Sequence, residues 1–376
     1  MTSGSTGPAA RRPGIRSRLS AAAPAKINLV LEVGPRRPDG FHELRSTFAP
    51  LELADTLSVS IRGGDGDELS APGSDTLSID GPADVPVQGN LVLRAATLLR
   101  AETSRPLPAL AFRLRKRIPA AAGLGGGSSD ALAALDLAAA AWGLRLPVRR
   151  RVALAAELGS DVPFFAIAGW ALVRGRGERL RRLPAPTGGR LGVLLVVPAA
   201  RLSTREVFAA FDASPGTNPQ QPESRAGSTP HGAASRLARR LREGASAADV
   251  AAIQPANDLL PAAEALMPGL ARLRRDLAEA LGRPVHLTGS GPTLAVLYPS
   301  PRQARSAREA VLDGLARGAL IAPGGSAEVI PTATVRDGVA RAPHGVASAP
   351  HGTDGRPRST PSRTPARTLR MTEEAP

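Results

Sequence analysis

The sequence predicts an α+β protein built as two lobes. Strand-like and helix-like patterns are mixed without the strict alternation that a parallel α/β sheet requires. The chain has 376 residues, a length that favours two compact domains over one. Hydrophobic residues make up 42% but aromatic residues only 3%, so the core is expected to consist mainly of Ala, Leu and Val.

The first elements follow from local patterns. Alternating apolar and polar residues predict strands at Lys26–Val33, Leu57–Ile61 and Ala109–Arg117. Between the second and the third, Asn90 precedes an amphipathic run over residues 91–100, and an Asn side chain can cap the helix that this run predicts.

A glycine-rich turn at 123–127 separates the third strand from the next helices. Ala and Leu dominate residues 128–142, which we expect to be helical, and a second helix is expected over residues 148–158, closed by Gly159. A strand at 170–174 completes the first lobe.

The second lobe begins with a continuous apolar run at 191–197, typical of a buried strand. A helix follows from Ser203 or Thr204, with Glu206 completing a partial capping box. The remaining patterns predict helices at about 235–243, 258–266 and 269–281, then strands at 285–287 and 293–298 around a Thr-Gly-Ser-Gly turn.

Three segments look unstructured in composition. Residues 1–19 and 333–376 are predicted to be disordered tails, and 214–234 a flexible insertion, because Pro, Gly, Ser and Arg dominate them. The expected domains are therefore 20–190 and 191–332.

Composition excludes several classes of protein. The chain has no Cys, so a disulfide scaffold, a thiolate metal site and a cysteine nucleophile are all excluded. No run of 18 uncharged apolar residues suggests a membrane span, and the Arg-rich first 20 residues lack the apolar core of a secretory signal. We expect a cytoplasmic protein that does not bind a membrane.

Three segments carry +10 of the net charge of +15. Residues 1–20, 214–246 and 335–376 carry +4, +3 and +3. Basic tails attract nucleic acid without specificity, and a nucleic-acid-binding protein is one alternative. No aromatic residues stand among these arginines to stack bases, so specific nucleic-acid binding is not expected.

Only two of the 48 basic residues are lysines, Lys26 and Lys116. In a chain that otherwise uses arginine, a lysine can mark a position that requires a compact ammonium group. Lys26 lies on the same face of its strand as Asn28, because side chains alternate along a strand. Lys116 lies in Arg113–Arg117 and is interpreted as part of an ordinary solvated strand edge.

The segment from strand to helix at 119–130 is typical of a phosphate-binding loop. Small residues let backbone amides approach an anion, and the start of a helix favours negative charge. No Lys follows the last glycine, so the loop is not a Walker A motif, and Ser128 replaces the last glycine of Gly-x-Gly-x-x-Gly. A flexible glycine linker is the alternative. The candidate nucleotide-binding residues are Pro119, Ala120, Ala121, Ala122, Gly123, Leu124, Gly125, Gly126, Gly127, Ser128 and Ser129, with the two hydroxyls as donors or magnesium ligands.

Two further polar residues stand in conspicuous surroundings. Asp161 follows a helix and precedes a buried apolar run, where a turn or cap role is the alternative to a catalytic one. If Asp161 lies about 4 Å from Lys26, the two charges attract by about 4 kcal/mol at an effective dielectric constant of about 20. His42 follows Phe41 and is otherwise an ordinary loop histidine, and His286 is expected to be a packing residue of its strand.

Five segments occur in an order that resembles the galactokinase–homoserine kinase–mevalonate kinase–phosphomevalonate kinase (GHMP) superfamily. The resemblance covers about residues 20–332 and is greatest to the kinases of 4-diphosphocytidyl-2-C-methyl-D-erythritol, which belong to the non-mevalonate isoprenoid route. The segments are Pro-Ala-Lys-Ile-Asn-Leu (24–29), Pro-Asp-Gly-Phe-His-Glu-Leu (38–44), Gly-Leu-Gly-Gly-Gly-Ser-Ser (123–129), Gly-Ser-Asp-Val-Pro-Phe-Phe (159–165) and Leu-Thr-Gly-Ser-Gly-Pro-Thr (287–293).

The resemblance implies a fold and an activity. The fold would have an N-terminal lobe with a left-handed βαβ unit and a ferredoxin-like C-terminal lobe. ATP and Mg²⁺ would bind at 119–129, and the γ-phosphoryl group would pass to the 2-hydroxyl of the cytidine-linked alcohol. The chain would act on this small molecule as a monomer or homodimer.

The resemblance also implies roles for particular residues. Lys26 and Asp161 would be the catalytic pair. Asn28, Phe41 and His42 would line the cytidine side of the site, and Phe208 would stack on the cytosine. Another small-molecule kinase of the superfamily, of the homoserine or mevalonate type, and a catalytically inactive nucleotide-binding module remain the alternatives.

Overall fold

The computed structural model describes residues 18–61, 75–81, 85–104, 106–167, 169–214 and 232–335, and the backbone of 344–346. Most of the predicted tail 1–19, insertion 214–234 and tail 333–376 lies outside the described residues. Described elements that fall within these segments are the strand that begins at Arg18, the helix that begins at Ala233, the end of the strand at Ala333 and a short strand at His344–Val346.

The first lobe is built on one large sheet. Its strands are β1 Arg18–Arg36, β2 His42–Ile61, β3 Thr76–Asp80, β4 Leu110–Arg115, β5 Ala171–Gly175, β6 Arg179–Arg182 and β11 His344–Val346. Strands β1 and β2 form a long antiparallel pair, and the sheet order is β11-β1-β2-β4-β3, with β5 paired to β2 and β6 to β5.

The helices of this lobe are α1 Leu91–Arg100, α2 Gly126–Ala141, α3 Val148–Leu158 and α4 Val162–Ala166. Helices α1 and α2 pack against the sheet, and α3 and α4 pack on other helices. Strands β3 and β4 pair in parallel with α1 between them, which is a βαβ unit as expected. The Asn90 side chain accepts a hydrogen bond from the amide of Val92 at 3.0 Å, so the predicted cap is confirmed. Helix α2 is buried along most of its length because its Ala and Leu side chains fill the layer between the sheet and the other helices.

The second lobe is a four-stranded antiparallel sheet with the order β10-β7-β9-β8. In chain order this is 4-1-3-2, the ferredoxin-like arrangement that the resemblance implied. Its strands are β7 Gly192–Pro198, β8 Val285–Leu287, β9 Leu294–Tyr298 and β10 Ala327–Ala333. Its helices are α5 Thr204–Ala213, α6 Ala233–Arg242, α7 Ala247–Ala251, α8 Leu260–Leu266, α9 Pro268–Leu281 and α10 Pro301–Ala316.

The two lobes share a core and hydrogen bonds along β1. Buried side chains of β1 and β2 pack with those of β7 and α6 in one hydrophobic cluster. The Leu31 amide donates to Ala256 O at 2.8 Å, and Asp258 N donates back to Leu31 O at 2.9 Å. The Asp258 carboxylate also accepts from the Val33 amide at 2.8 Å. These contacts hold the second lobe against the strand that carries Lys26.

Sequence patterns missed the first part of β1, most of β2 and all of β3, β6, β10, β11, α4, α7 and α10. The prediction for β2 began at Leu57, whereas the strand begins at His42. Residues 46–51 are buried on both faces, so the strand has no apolar–polar alternation there to detect. In the described part of the chain, no helix combines the length and the apolar character that crossing a membrane requires.

Candidate active site

A cavity of about 510 Å³ opens between the two lobes. The first lobe contributes Lys26, Asn28, residues 119–128 and Asp161 to its wall. The second lobe contributes Thr204, Phe208, Leu259 and the turn at Gly289–Ser290. Neither lobe forms this cavity alone, because its walls come from segments at opposite ends of the sequence.

The glycine loop takes its shape from backbone conformations that favour glycine. Gly123 and Gly125 have φ of +72° and +70°, in the left-handed region. A Cβ on Gly123 would lie 2.5 Å from the carbonyl oxygen of Thr288, so the absence of a side chain lets the second-lobe turn approach the loop. Helix α2 then begins at Gly126, with Gly125 at its N-cap. Since Gly125 has no side chain to accept the first amide hydrogens, this helix start can receive an anionic ligand.

The two serines after the loop face different ways. Ser128 lines the cavity, whereas Ser129 is buried and does not contribute to the wall. Successive residues of a helix are about 100° apart, so when Ser128 faces the cavity Ser129 turns towards the core. The Ser129 hydroxyl has no hydrogen-bond partner in the described structure.

Lys26 is only 3% exposed, and its ammonium group is held at the cavity wall. Its Nζ donates to Asn28 Oδ1 at 2.7 Å, as expected for two side chains on one strand face. The same nitrogen lies 3.4 Å from Asp161 Oδ2 and 4.7 Å from the centre of the Phe48 ring. The backbone amide of Lys26 donates to Leu124 O at 2.9 Å, which ties β1 to the glycine loop.

Asp161 stands at the N-cap position of α4, but its side chain caps no amide there. Its carboxylate is 35% exposed, pairs with Lys26 and faces the cavity. The cap alternative for this residue is therefore not what the structure shows. A carboxylate beside a buried ammonium group, open to a cavity on its other side, can accept a proton from a bound hydroxyl.

The aromatic residues form a cluster next to the cavity. The His42 ring stacks on Phe208 at 5.5 Å between centres and meets Phe211 edge-on at 5.8 Å. Its Nδ1 lies 3.0 Å from Gly34 O, and its Nε2 lies 3.0 Å from a carboxylate oxygen of Asp212. Phe208 is the member of this cluster that reaches the cavity wall.

Phe41 does not line the cavity in this conformation. Its ring is 48% exposed and packs under the guanidinium group of Arg176, 5.4 Å from the ring centre. Of the residues expected on the cytidine side, Asn28 and Phe208 line the cavity, His42 stacks on Phe208, and Phe41 lies away from the wall.

Lys116 is buried, and the interpretation as a solvated strand edge was wrong. Its side chain is 5% exposed and its ammonium group donates to Asp55 at 2.6 Å and to Asp130 at 2.8 Å. Burial, followed by the nearby Asp55 carboxylate, raises the pKa of Asp130 to about 7 against the opposing effect of Lys116. The attraction of both carboxylates outweighs burial and raises the pKa of Lys116.

The cavity wall offers too few protein oxygen atoms to bind Mg²⁺ by themselves, so the ion would also need phosphate oxygens of a bound nucleotide. Among the described residues no group of three His, Cys, Asp or Glu side chains could hold a metal ion. The cavity wall does offer oxygen donors, the Ser128 hydroxyl and the Asp161 carboxylate. Mg²⁺ commonly binds through one or two protein oxygens together with substrate phosphates, so these residues fit such a site.

Comparison with known proteins agrees with this architecture. The family described as GHMP kinases N terminal domain matches residues 90–169, and GHMP kinases C terminal matches residues 232–316. The 4-diphosphocytidyl-2-C-methyl-D-erythritol kinase of Pelotomaculum thermopropionicum is 40% identical over 288 residues, 76% of this chain and 91% of that protein.

Solved structures give the same result. A crystal structure of 4-(cytidine 5'-diphospho)-2C-methyl-D-erythritol kinase superposes with a TM-score of 0.60 at 34% identity, covering 84% of this chain and 99% of that one. A homoserine kinase from Cytophaga hutchinsonii has a TM-score of 0.63 at 16% identity, over 87% and 98% of the chains, which shows a shared fold alone. The chain belongs to the 4-diphosphocytidyl-2-C-methyl-D-erythritol kinase family of the GHMP kinases, which use ATP.

Proposed function

We propose that this chain transfers the γ-phosphoryl group of ATP to the 2-hydroxyl of 4-diphosphocytidyl-2-C-methyl-D-erythritol. The observation that carries the proposal is the Lys26–Asp161 pair, 3.4 Å apart, at the wall of a cavity that the glycine loop also lines. The two residues are far apart in sequence, and the fold brings them together beside the glycine loop. This arrangement supports a site where an acceptor hydroxyl meets the end of a triphosphate.

In this proposal Asp161 accepts the proton of the 2-hydroxyl, or orients that hydroxyl, as the new O–P bond forms. The bond between the γ-phosphorus and the β,γ-bridging oxygen breaks, and ADP leaves. Lys26 holds the Asp161 carboxylate in place and favours the developing alkoxide through its positive charge. Asn28 in turn holds the Lys26 ammonium group. Since phosphoryl transfer has a loose transition state, positioning and charge neutralisation account for most of the catalysis.

The glycine loop would hold the triphosphate by its backbone amides and the start of α2. Bound Mg²⁺ would supply neutralisation of phosphate charge, held by phosphate oxygens with the Ser128 hydroxyl and the open Asp161 carboxylate as protein donors. The buried position of Ser129 argues that, of the two serines, Ser128 contacts the nucleotide.

The aromatic cluster supports the cytidine-linked alcohol as the acceptor. Phe208 presents a ring to the cavity with His42 stacked behind it, and a flat base can stack on such a surface. This recognition would take place away from the reacting hydroxyl and would provide binding energy for positioning it. Phe41 would join the cluster once its ring leaves Arg176.

The test is a coupled assay of ADP release with purified full-length chain, ATP and Mg²⁺. We expect turnover with 4-diphosphocytidyl-2-C-methyl-D-erythritol and none with free methylerythritol phosphate, homoserine or mevalonate. Turnover of homoserine or mevalonate alone would favour another kinase of the superfamily. Absence of turnover with every alcohol would contradict the proposal. The location that we propose is the cytoplasm, where ATP is available.

The nucleic-acid alternative predicts a different dependence on the basic tails. Removing residues 1–17 and 347–376 leaves all described elements intact, so the kinase reading expects the shortened chain to keep its turnover. Loss of turnover on this truncation alone would speak for a role of the tails in function.

A further inference from the structure

The buried cluster of Lys116, Asp55 and Asp130 has no part in the chemistry proposed above. We name it the loop brace. Asp55 is fully buried on β2, and Lys116 follows the last residue of β4. Asp130 belongs to the first turns of α2 and is 3% exposed. One ammonium group therefore joins a strand, the start of the glycine loop and the helix after it.

The loop brace ties together the two ends of the glycine loop. Asp55 accepts hydrogen bonds from the backbone amides of Arg117 and Ile118, at 2.5 and 2.9 Å, immediately before the loop. Lys116 Nζ reaches across to Asp130 at 2.8 Å, on the far side of the loop. The space between the ends is filled, since a Cβ on Gly126 would lie 3.0 Å from Ile118 Cγ2 and 3.3 Å from Lys116 Nζ.

Charge argues that the Lys116 ammonium group does not itself bind a phosphate. Although Lys116 lines the cavity, its Nζ already donates to the carboxyl groups of Asp55 and Asp130. A phosphate approaching this nitrogen would have to displace one of these two buried partners, and the charge of Asp55 opposes its approach. A role through the shape of the loop is consistent with these contacts, and direct contact with the nucleotide is not.

Stability alone is a poor explanation for the loop brace. Burying three charged groups costs desolvation energy that their mutual attraction often fails to recover. A lysine also suits the position in a chain that otherwise uses arginine, because a compact ammonium group fits between two carboxylates where a planar guanidinium would need more room.

We propose that the loop brace positions the glycine loop for the triphosphate of its nucleotide, with Asp130 and Lys116 as positioning residues. The proposal rests on the nucleotide-binding part of the proposed function but not on the identity of the acceptor alcohol. Holding both ends of the loop keeps its backbone amides in the orientation that the β- and γ-phosphates require, even before the nucleotide binds. Less conformational entropy is then lost on binding.

The decisive variant is Asp130→Ala. This substitution removes the contact between α2 and Lys116 but leaves Lys116 paired with Asp55. The remaining ion pair is neutral overall, so the variant is expected to fold. We expect the dissociation constant for the non-hydrolysable ATP analogue AMP-PNP, measured by calorimetry on the full chain, to rise about tenfold. The dissociation constant for AMP, which lacks the β- and γ-phosphates, should be unchanged. Asp130→Asn keeps one acceptor for Lys116 and should recover part of the affinity.

Asp136→Ala is the matched control. Asp136 lies on the same helix α2 and forms a two-point ion pair with Arg151, with both N–O distances at 2.6 Å, but it does not contact the loop. This control should leave AMP-PNP affinity unchanged while altering thermal stability.

Three results would overturn the proposal. Tighter binding of AMP-PNP by Asp130→Ala would mean that the Lys116 ammonium group binds the nucleotide directly once Asp130 is removed. Unchanged affinity would mean that the loop does not need the loop brace. Equal weakening of AMP and AMP-PNP would indicate general damage to the fold. Because the readout is nucleotide binding, failure of the acceptor assay leaves this test intact, whereas a parent chain that binds no AMP-PNP would contradict both.

Discussion

Gly125 lies directly against the side chain of Lys26, for which we propose a catalytic role, and Gly125→Ala tests whether this contact positions the lysine. An Ala Cβ at this position would lie 3.0 Å from Lys26 Cγ, 3.2 Å from Lys26 Cε and 3.2 Å from Phe165 Cζ. These distances are shorter than ordinary carbon contacts, so the lysine stem has to move by a few tenths of an ångström. The ammonium group at its end would then leave its positions 2.7 Å from Asn28 and 3.4 Å from Asp161.

Two costs can be estimated for this substitution. A left-handed φ of +70° costs an Ala about 1–2 kcal/mol of folding free energy. Because misplacing a reacting group by about 1 Å can reduce a rate about a hundredfold, a smaller displacement of Lys26 should reduce kcat about tenfold. The coupled ADP-release assay gives kcat, and thermal unfolding gives the stability change.

Gly143→Ala separates the two costs. Gly143 has a φ of +64° just after the other end of α2, and a Cβ there would meet nothing within 4 Å. Gly143→Ala should therefore carry the same backbone cost as Gly125→Ala and lower Tm by about 2–4 °C for each kcal/mol of that cost. It should leave kcat unchanged. Equal kcat in the two variants would refute the reasoning that the Gly125 contact sets the position of Lys26.

Three further outcomes can be measured. Asp161→Asn should lower kcat by about 10²–10⁴ if the carboxylate accepts the hydroxyl proton; a folded variant that keeps the parental rate would contradict that role. Lys26→Arg should be strongly impaired although it keeps the charge, because a planar guanidinium group does not reproduce the compact contacts of the ammonium group with Asn28 and Asp161; normal turnover of this variant would contradict a role for the compact ammonium group. His286 is fully buried without a hydrogen-bond partner in the described structure, and burial lowers its pKa from 6.5 to about 4. Between those values the unfolded chain binds a proton that the folded chain does not, so stability falls with falling pH, by up to about 3 kcal/mol at pH 4. His286→Leu should lose less stability than the parent between pH 7 and pH 4 in urea unfolding, and identical losses would show that His286 is not the titrating group.

Local sequence patterns predicted the structure correctly where it depends on a single strand, helix or loop. The period of two along β1 placed Lys26 and Asn28 on one face, and the structure shows them hydrogen-bonded. The capping role of Asn90 needed only the helix that follows it. The glycine loop could be recognised because strand, small residues and helix start are consecutive in the chain.

Local sequence patterns did not predict the surroundings of a side chain whose contacts come from residues far away in the sequence. Lys116 looked solvated among arginines, yet its partners Asp55 and Asp130 are 61 and 14 residues away in the sequence. Phe41 looked like its neighbour His42, yet one ring is exposed under Arg176 while the other is packed against Phe208. The consecutive serines 128 and 129 were indistinguishable until the rotation of α2 turned one outward and one inward.

By itself the sequence determined the two-lobed α+β class, many of its strands and helices, and the glycine-rich backbone that joins β4 to α2, because periodicity, capping and backbone freedom act over a few residues. Only the tertiary structure decided that Asp161 lies beside Lys26 rather than capping a helix, and that Lys116 is enclosed by carboxylates. Contact between residues far apart in sequence depends on how whole elements pack, and the residue types alone do not contain that information.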